Sequence, residues 1–228
     1  IICMDRRNYL HAIAGAGAFA TAGCLGSTLS FRDGNPNVIL AEPEREYTSE
    51  ELPYPAWGQR VPDVTLPSSI GSQTVTIRDI ETPSIVTFFY SHCQTVCPVL
   101  IQTVRNIQAD AIENDYADQV TFLPTTFDPQ RDDAARLREY SKTMNIAVDN
   151  DNWQFLRPAS PERAKAVVEE EFGVTFERTH PDDMDMYMFA HSALTYLINA
   201  DGYIERAYRT QAPDISQMIT DLKPLREQ

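Results

Sequence analysis

The sequence predicts an α/β domain in which a central mixed β-sheet is flanked by helices. Two apolar runs rich in β-branched and aromatic residues, 84–90 and 119–126, predict buried strands. Each of these runs is followed by a segment with helical features. Asp201-Gly202 lies between two further apolar runs, and this dipeptide is typical of a β-hairpin turn.

The first half of the domain contains two strand–helix units. Residues 84–90 form the first strand, and residues 98–113 form the first helix because their apolar side chains recur close to helical spacing. Pro98 suits the first helical turn, where its missing N–H costs no intrahelical bond. Residues 119–126 form the second strand, and residues 132–144 form the second helix, with acidic residues in its first turn.

The second half adds a helix, the hairpin and a final helix. Ser160 and Pro161 provide an N-cap and a first-turn proline, and Gly173 stands where a C-cap belongs. The predicted elements are a short strand at 152–156, a helix at 161–172, hairpin strands at 193–199 and 203–209, a helix at 214–222, and an N-terminal strand pair within 64–77. This order matches a thioredoxin-like fold, in which the redox site follows the first parallel strand.

The chain is strongly acidic. It has 33 Asp and Glu against 19 Lys and Arg, of which only three are lysines, and a net charge of −14. This charge argues against nucleic acid as a partner, because phosphate binding needs clustered basic residues. Dispersed acids with few lysines predict a salt-adapted surface, as expected for a halophilic archaeon. We expect the domain to be a monomer.

Residues 1–24 have the layout of an export signal. Arg6 and Arg7 precede a weakly apolar stretch, and this pair resembles a twin-arginine signal. Cys24 follows a small residue and resembles the lipid acceptor of a lipobox, so we expect a lipoprotein. The alternative is a first helix with an incidental cysteine, but its glycines make that helix poor. We therefore expect export and anchoring at the outer face of the cytoplasmic membrane.

The region after Cys24 divides at about residue 60. Residues 25–60 are proline-rich and have little periodic apolar pattern, which predicts a flexible tether. The folded domain is then predicted at 61–228. No apolar run reaches about 18 residues, which argues against a membrane-spanning helix.

Cys93 and Cys97 follow the strongest predicted strand and open the first helix. Their i, i+4 spacing places both sulfurs on one side of a helical turn, and a helix N-terminus favours thiolate over thiol. A thiolate is both a nucleophile and a soft metal ligand, so a redox pair and a metal site are both open. A structural disulfide is a third interpretation, although such a small loop gives little stabilisation.

His191 is the histidine best placed to join this cysteine pair. It precedes the predicted hairpin, and in a thioredoxin-like fold that strand entrance faces the cysteine turn. Two thiolates and one imidazole suit Cu(I), and Cu(II) with a further ligand, although zinc also accepts this set. His92 adjoins Cys93, but neighbouring side chains on an extended backbone diverge. His180 lies in an acidic segment that we expect to be an exposed loop.

A methionine-rich run precedes His191 and holds Met184, Met186 and Met188. Thioethers bind Cu(I), so the run is a candidate for additional copper contacts. The alternative is a loop whose methionines cover apolar surface, and this alternative is the favoured one.

Three motifs occur in order over about residues 60–222. They are Cys93-Gln94-Thr95-Val96-Cys97-Pro98, Phe127-Asp128-Pro129-Gln130-Arg131-Asp132, and His191-Ser192 followed by the hairpin with Asp201-Gly202. Together they resemble the Sco/SenC family of copper-binding, thioredoxin-like assembly proteins. The resemblance implies that Cys93, Cys97 and His191 bind copper and that Asp128 orders the site or influences transfer. Asp128 is also placed to cap the turn and helix that follow it.

The resemblance also implies a function. It implies a copper metallochaperone that delivers copper to a subunit of a respiratory oxidase, for the dinuclear copper centre of cytochrome c oxidase. Copper would move to the target's cysteines by ligand exchange, which involves no turnover chemistry. The alternative is an extracytoplasmic thiol–disulfide oxidoreductase that uses Cys93 and Cys97 to reduce the target's cysteines.

Gln94-Thr95 departs from the Pro-Asp of many members, and the loss of an acid there bears on partner choice. A thiol peroxidase is disfavoured because Tyr90 stands where that class needs threonine.

Overall fold

A computed structural model of the chain describes residues 35–71, 73–182 and 184–227, and its elements alternate as the sequence predicts. The strands are β1 Thr65–Pro67, β2 Thr74–Thr76, β3 Ser84–Phe89, β4 Thr121–Thr126, β5 Phe176–Thr179, β6 Met188–His191, β7 Thr195–Ile198 and β8 Ile204–Tyr208. The helices are α1 Val96–Glu113, α2 Ala134–Thr143, α3 Pro161–Lys165, which continues as a π-helical turn over Ala166–Glu171, and α4 Ile215–Arg226. Within this part of the chain, every helix is too short or too polar to cross a membrane. The predicted export signal and Cys24 lie outside the described residues.

The central sheet has the strand order β4-β3-β7-β8. β3 pairs in parallel with β4 and antiparallel with β7, and β7 pairs antiparallel with β8. Thr87 and Thr195 face each other across the β3–β7 ladder, and their buried hydroxyls are hydrogen-bonded at 3.0 Å. The sheet is therefore mixed and carries the C-terminal hairpin, which confirms the predicted thioredoxin-like fold class.

β3 is buried along its whole length because helical segments cover both faces of the sheet. Successive side chains of a strand point to opposite faces. Phe88 packs against Phe172, which follows the π-helical turn, with ring centroids 5.1 Å apart. Phe89 packs on the other face against Tyr140 of α2, with ring centroids 5.6 Å apart. This packing holds the end of β3 firmly, and the candidate site begins at that end.

Residues 152–156, predicted as a strand, instead form isolated bridges alongside β4. Phe122 donates its N–H to Asn152, and Thr126 donates its N–H to Leu156. Between them stands Pro124, which has no N–H to continue the ladder. The missing donor explains why this segment pairs with β4 only in part.

The structure differs from the prediction of a flexible tether over residues 35–60. Residues 35–60 pack onto the domain, although they contain little regular secondary structure. The backbone N–H groups of Ile39 and Leu40 each donate to the carboxylate of Glu205, at 2.9 Å, and Glu205 is fully buried on β8. A buried carboxylate needs such donors, and here the segment supplies them. The folded unit therefore includes residues 35–60 and does not start at residue 61.

The β5–β6 hairpin was not predicted from the sequence. It forms a two-stranded sheet of its own, in which Phe176 pairs with His191 and Arg178 pairs with Phe189. We call this hairpin the histidine ribbon, because His191 is its last residue. The ribbon joins the domain through side-chain packing: Phe176, Phe189 and Phe127 form one aromatic cluster with centroid distances of 4.9 to 5.7 Å.

Candidate metal centre

The cysteine turn lies between the end of β3 and the start of α1. Cys93 closes the turn by donating its N–H to the carbonyl of Tyr90 at 3.2 Å. Thr95, the N-cap residue of α1, makes no side-chain capping bond. The N–H of Cys97 donates instead to Sγ of Cys93 at 3.4 Å. The sulfur of Cys93 therefore accepts one of the N–H groups that every helix start leaves without a helical partner.

Buried Asp132, which was not predicted as a site residue, holds this turn in place. Its carboxylate accepts the N–H and the hydroxyl of Ser91 and the hydroxyl of Thr126. Arg136 of α2 also donates to the hydroxyl and the carbonyl of Ser91, at 2.8 and 2.7 Å. Burial raises the pKa of Asp132, while the hydrogen bonds from Ser91 and Thr126 act against that rise. Asp132 is the final residue of the Asp-Pro-x-Arg-Asp segment, and this motif is the sequence feature that could have identified it.

His191 lies directly beside the cysteine turn. Its Nε2 atom is 3.3 Å from Sγ of Cys97, and its Nδ1 atom is 2.9 Å from the carbonyl oxygen of Ser192. A carbonyl only accepts, so Nδ1 carries a proton, and Nε2 is the ring nitrogen that faces the sulfur. The imidazole also packs near the rings of Tyr90 and Phe127, at centroid distances of 6.1 and 5.1 Å. This arrangement orients the ring as a metal-binding histidine needs.

The ligand atoms of Cys93, Cys97 and His191 all lie within 4.8 Å of one another. Both cysteines are free thiols and are buried, with 7% and 0% exposure, while His191 is partly exposed. Two sulfurs and one imidazole nitrogen at this spacing fit a soft metal ion. Among the described residues, this is the one group of three or more potential His, Cys, Asp or Glu ligands that converges in this way.

The two thiols differ strongly in acidity. The pKa of Cys93 is lowered to about 3 by the hydrogen bond from the Cys97 thiol, by His191 and by the N–H groups of Thr95 and Cys97. Burial raises the pKa of Cys97 well above its usual value, and the neighbouring Cys93 thiolate raises it further. Cys93 is therefore the thiolate of the free site, and Cys97 is the thiol that hydrogen-bonds to it.

Asp128 contacts none of the three ligands by a hydrogen bond. Its carboxylate accepts from Nε of Arg131 and from the hydroxyl of Tyr187, and its backbone carbonyl accepts the N–H groups of the turn that follows. The side chain thus links the turn to the segment just before β6. The predicted effect of Asp128 on the site stays a prediction.

His92 and His180 lie outside the cluster. His92 contacts Ser91 and faces Asp132, with its Nδ1 atom 3.7 Å from that carboxylate. His180 is exposed. Met184 and Met186 are also exposed, at 37% and 44%. Partly buried Met188 packs against the core.

The cysteine turn and the histidine ribbon both lie within a stretch of the chain that matches a known family model. A family model described as SCO1/SenC matches residues 70–227. The chain belongs to the SCO1/SenC family. The match includes the cysteine turn, the Asp-Pro-x-Arg-Asp segment and His191.

A curated relative is similar to part of the chain. The chain is 31% identical over 134 residues to a SCO2-like protein of Rickettsia conorii, and the alignment covers 57% of this chain and 60% of the relative. The chain therefore spans about 60% of the length of that SCO2-like relative.

Solved structures of the family share the fold. ScoI of Bradyrhizobium japonicum, determined with copper bound, is 24% identical, with a TM-score of 0.57 and coverage of 71% of this chain and 96% of ScoI. A SCO1/SenC family lipoprotein from Bacillus anthracis is 21% identical, with a TM-score of 0.60 and coverage of 75% and 95%. The thioredoxin-like domain thus extends over most of the described residues.

Proposed function

We propose that this protein is a copper metallochaperone. Cys93, Cys97 and His191 bind one copper ion, which the protein delivers to the copper-accepting subunit of a respiratory oxidase for the dinuclear centre of cytochrome c oxidase. The observation that carries the proposal is the convergence of two sulfurs and one imidazole nitrogen within 4.8 Å. Family membership and the copper-bound ScoI structure support copper as the cargo.

The chemistry of the site fits Cu(I) in particular. Thiolates are soft ligands, and a set of two sulfurs and one nitrogen leaves room for an incoming sulfur from a partner. Cys93 is already a thiolate at neutral pH because its pKa is about 3, whereas Cys97 must release a proton when the ion binds. Transfer then proceeds by ligand exchange, in which target cysteines replace Cys93 and Cys97.

An anaerobic titration with Cu(I) against a chelating competitor tests the proposal. We expect one tightly bound Cu(I) per chain and at least about tenfold weaker binding in His191→Ala. His92→Ala is the matched control, because His92 lies next to Cys93 but outside the ligand cluster. Absence of stoichiometric binding, or equal effects of the two substitutions, would contradict the proposal.

A second function is favoured by the unequal acidity of the thiols. As a thiol–disulfide oxidoreductase, the Cys93 thiolate would attack a disulfide of the target and form a mixed disulfide. Cys97 would then lose its proton and attack the sulfur of Cys93, which forms the Cys93–Cys97 disulfide and releases the second target sulfur as a thiolate. The Cys97 proton and one proton from solvent then complete the target dithiol. Two electrons pass from the protein to the target. This activity should survive His191→Ala, whereas the copper function should not.

We further propose that the protein is exported and held by a lipid on Cys24 at the outer face of the cytoplasmic membrane. The Arg6-Arg7 signal supports export, and the lipoprotein relative from Bacillus anthracis supports anchoring. Membrane fractionation of Cys24→Ala in the source cell tests the anchor. The variant should leave the membrane fraction, and retention there would contradict lipidation of Cys24.

A further inference from the structure

Tyr187 lies immediately before β6, between two arginines of different elements. The guanidinium carbon of Arg131 is 3.6 Å from the centroid of the tyrosine ring, and that of Arg178, on β5, is 4.1 Å from it. Contacts this short between a guanidinium group and an aromatic ring are attractive cation–π interactions. The ring therefore connects the loop after β4, which holds Arg131, to the histidine ribbon.

Hydrogen bonds reinforce the same connection. The hydroxyl of Tyr187 donates to Oδ1 of Asp128 at 2.8 Å, and Nη1 of Arg131 donates to the carbonyl oxygen of Tyr187 at 2.9 Å. Asp128 is 1% exposed and is paired with Arg131, so its carboxylate has a fixed position. Arg178 is held in turn by Gln130 of the same loop, at 2.8 Å. The segment 127–132 thus holds Tyr187 directly through Asp128 and Arg131, and indirectly through the bond between Gln130 and Arg178.

The connection matters because the histidine ribbon is a separate two-stranded sheet. His191 stands four residues after Tyr187 and is the last residue of β6, which begins directly after Tyr187. A paired strand is stiff, so a displacement of the ribbon at Tyr187 also moves His191. The 3.3 Å approach of His191 to Cys97 therefore depends on side-chain contacts that fasten the ribbon. Polar contacts among them include those of Tyr187 and the hydrogen bond from the N–H of Phe189 to the hydroxyl of Tyr90 at 3.2 Å.

We propose that Tyr187, held by Arg131, Arg178 and Asp128, is a positioning residue that keeps His191 within bonding distance of a metal shared with Cys97. The inference rests on the proposed function, because it concerns the same three ligands. It adds a residue outside the ligand set that controls how much His191 contributes to binding. Tyr187 itself does not touch the metal.

The first test uses the protein without metal. His191 lies near the rings of Tyr90 and Phe127, so ring currents shift the NMR signals of its imidazole. In Tyr187→Leu these shifts should decrease toward the values of an exposed histidine, while Tyr187→Phe, which keeps the ring, should change them less. Tyr203→Leu is the matched control, because partly buried Tyr203 also lies against an arginine, Arg60, at 5.8 Å.

The second test measures Cu(I) affinity in a double-mutant cycle. Tyr187→Leu should weaken binding about tenfold, in the range for residues that orient metal ligands. In a His191→Ala background the same substitution should have almost no effect, because its action runs through His191. Arg178 is exposed, so Arg178→Gln offers a milder variant with little risk to folding.

The outcomes separate this inference from the proposed function. Failure of the wild-type protein to bind Cu(I) would overturn the copper proposal, while the NMR comparison would still test Tyr187. Unchanged His191 shifts in Tyr187→Leu, or an equal loss of affinity with and without His191, would overturn the positioning role. If the leucine variant does not fold, Tyr187→Phe and Arg178→Gln are measured by the same two methods. A partial loss of the His191 ring-current shifts and of Cu(I) affinity supports the positioning role. If neither variant changes the shifts or the affinity, the role is overturned.

Discussion

Nε2 of His191 lies 3.3 Å from Sγ of Cys97, although 94 positions separate the two residues in the chain. Cys97 belongs to α1 and is fixed by the core, whereas His191 ends a ribbon with a sheet of its own. The two ligands thus have different mechanical support. A rigid thiol pair and a separately fastened imidazole suit a site that must first hold an ion and then release it to other sulfurs.

Cys93 should react with iodoacetamide at a rate that changes little between about pH 5 and about pH 8. Its pKa is lowered to about 3, so the thiolate is fully formed across this interval. The rate for an ordinary thiol would instead rise about tenfold with each unit of increase in pH, as long as the pH stays below the pKa of the thiol. The extent of modification, measured by mass spectrometry at a series of reaction times, gives the rate at each pH.

Cys97→Ala is the control for that measurement. The hydrogen bond from Cys97 is the largest cause of the low pKa of Cys93, so its removal should raise the pKa and restore a pH-dependent rate. A steep pH dependence already present in the wild-type protein would show that the thiolate is not stabilised in this turn.

Asp132→Ala should destabilise the domain by about 3 kcal/mol, because it leaves the buried N–H and hydroxyl of Ser91 and the hydroxyl of Thr126 without their acceptor. Urea unfolding gives the change in free energy. Asp133→Ala is the matched control: Asp133 is exposed and caps α2 with one bond to Arg136, which predicts a loss of about 1 kcal/mol. Similar losses for the two variants would contradict the bracing role of Asp132.

The packed segment 35–60 predicts a difference between two truncated chains. The free energy of unfolding of a chain that begins at residue 61 should be at least about 2 kcal/mol lower than that of a chain that begins at residue 35. The shorter chain leaves the buried carboxylate of Glu205 without the N–H groups of Ile39 and Leu40. Equal unfolding free energies, measured in urea, would show that the segment is a tether after all.

The sequence was informative where a regular period or a local motif carries the structure. The uninterrupted apolar run of β3 predicted a buried strand, and the structure buries all six of its residues. The short spacing of Cys93 and Cys97 predicted their convergence, since both belong to one helix start. The position of His191 in a thioredoxin-like fold predicted that it would face them, and the 3.3 Å distance confirms this.

The sequence was less informative where long-range contacts organise irregular or short segments. β5 and β6 have four residues each and are separated by an acidic loop, so neither gave a clear strand pattern. Residues 35–60 have no regular period, and part of their backbone bonds to distant groups, such as the Glu205 carboxylate and the carbonyl of Ile204. The supporting role of Asp132 depends on Ser91, which is 41 positions away, and no local pattern records that pairing.

The acidic surface leads to a prediction about salt. Without residues 1–23 the chain has 32 acidic and 17 basic residues, which leaves a net charge of −15. The screening length is about 30 Å at 0.01 M salt and about 3 Å at 1 M, so repulsion among these acids acts across the domain only at low salt. Thermal unfolding in potassium chloride should therefore occur at a clearly higher temperature in 1 M than in 0.01 M salt.

A charge variant separates repulsion from a general effect of salt on apolar burial. Glu170 and Glu171 are exposed neighbours after α3, in the one run of three consecutive acids in the chain. Replacing both with glutamine removes two negative charges, so the difference in unfolding temperature between the two salt concentrations should become smaller. An equal unfolding temperature at both concentrations in the unmodified protein would exclude a salt-adapted surface. An unchanged difference in the variant would assign the salt effect to apolar burial, which salts also strengthen.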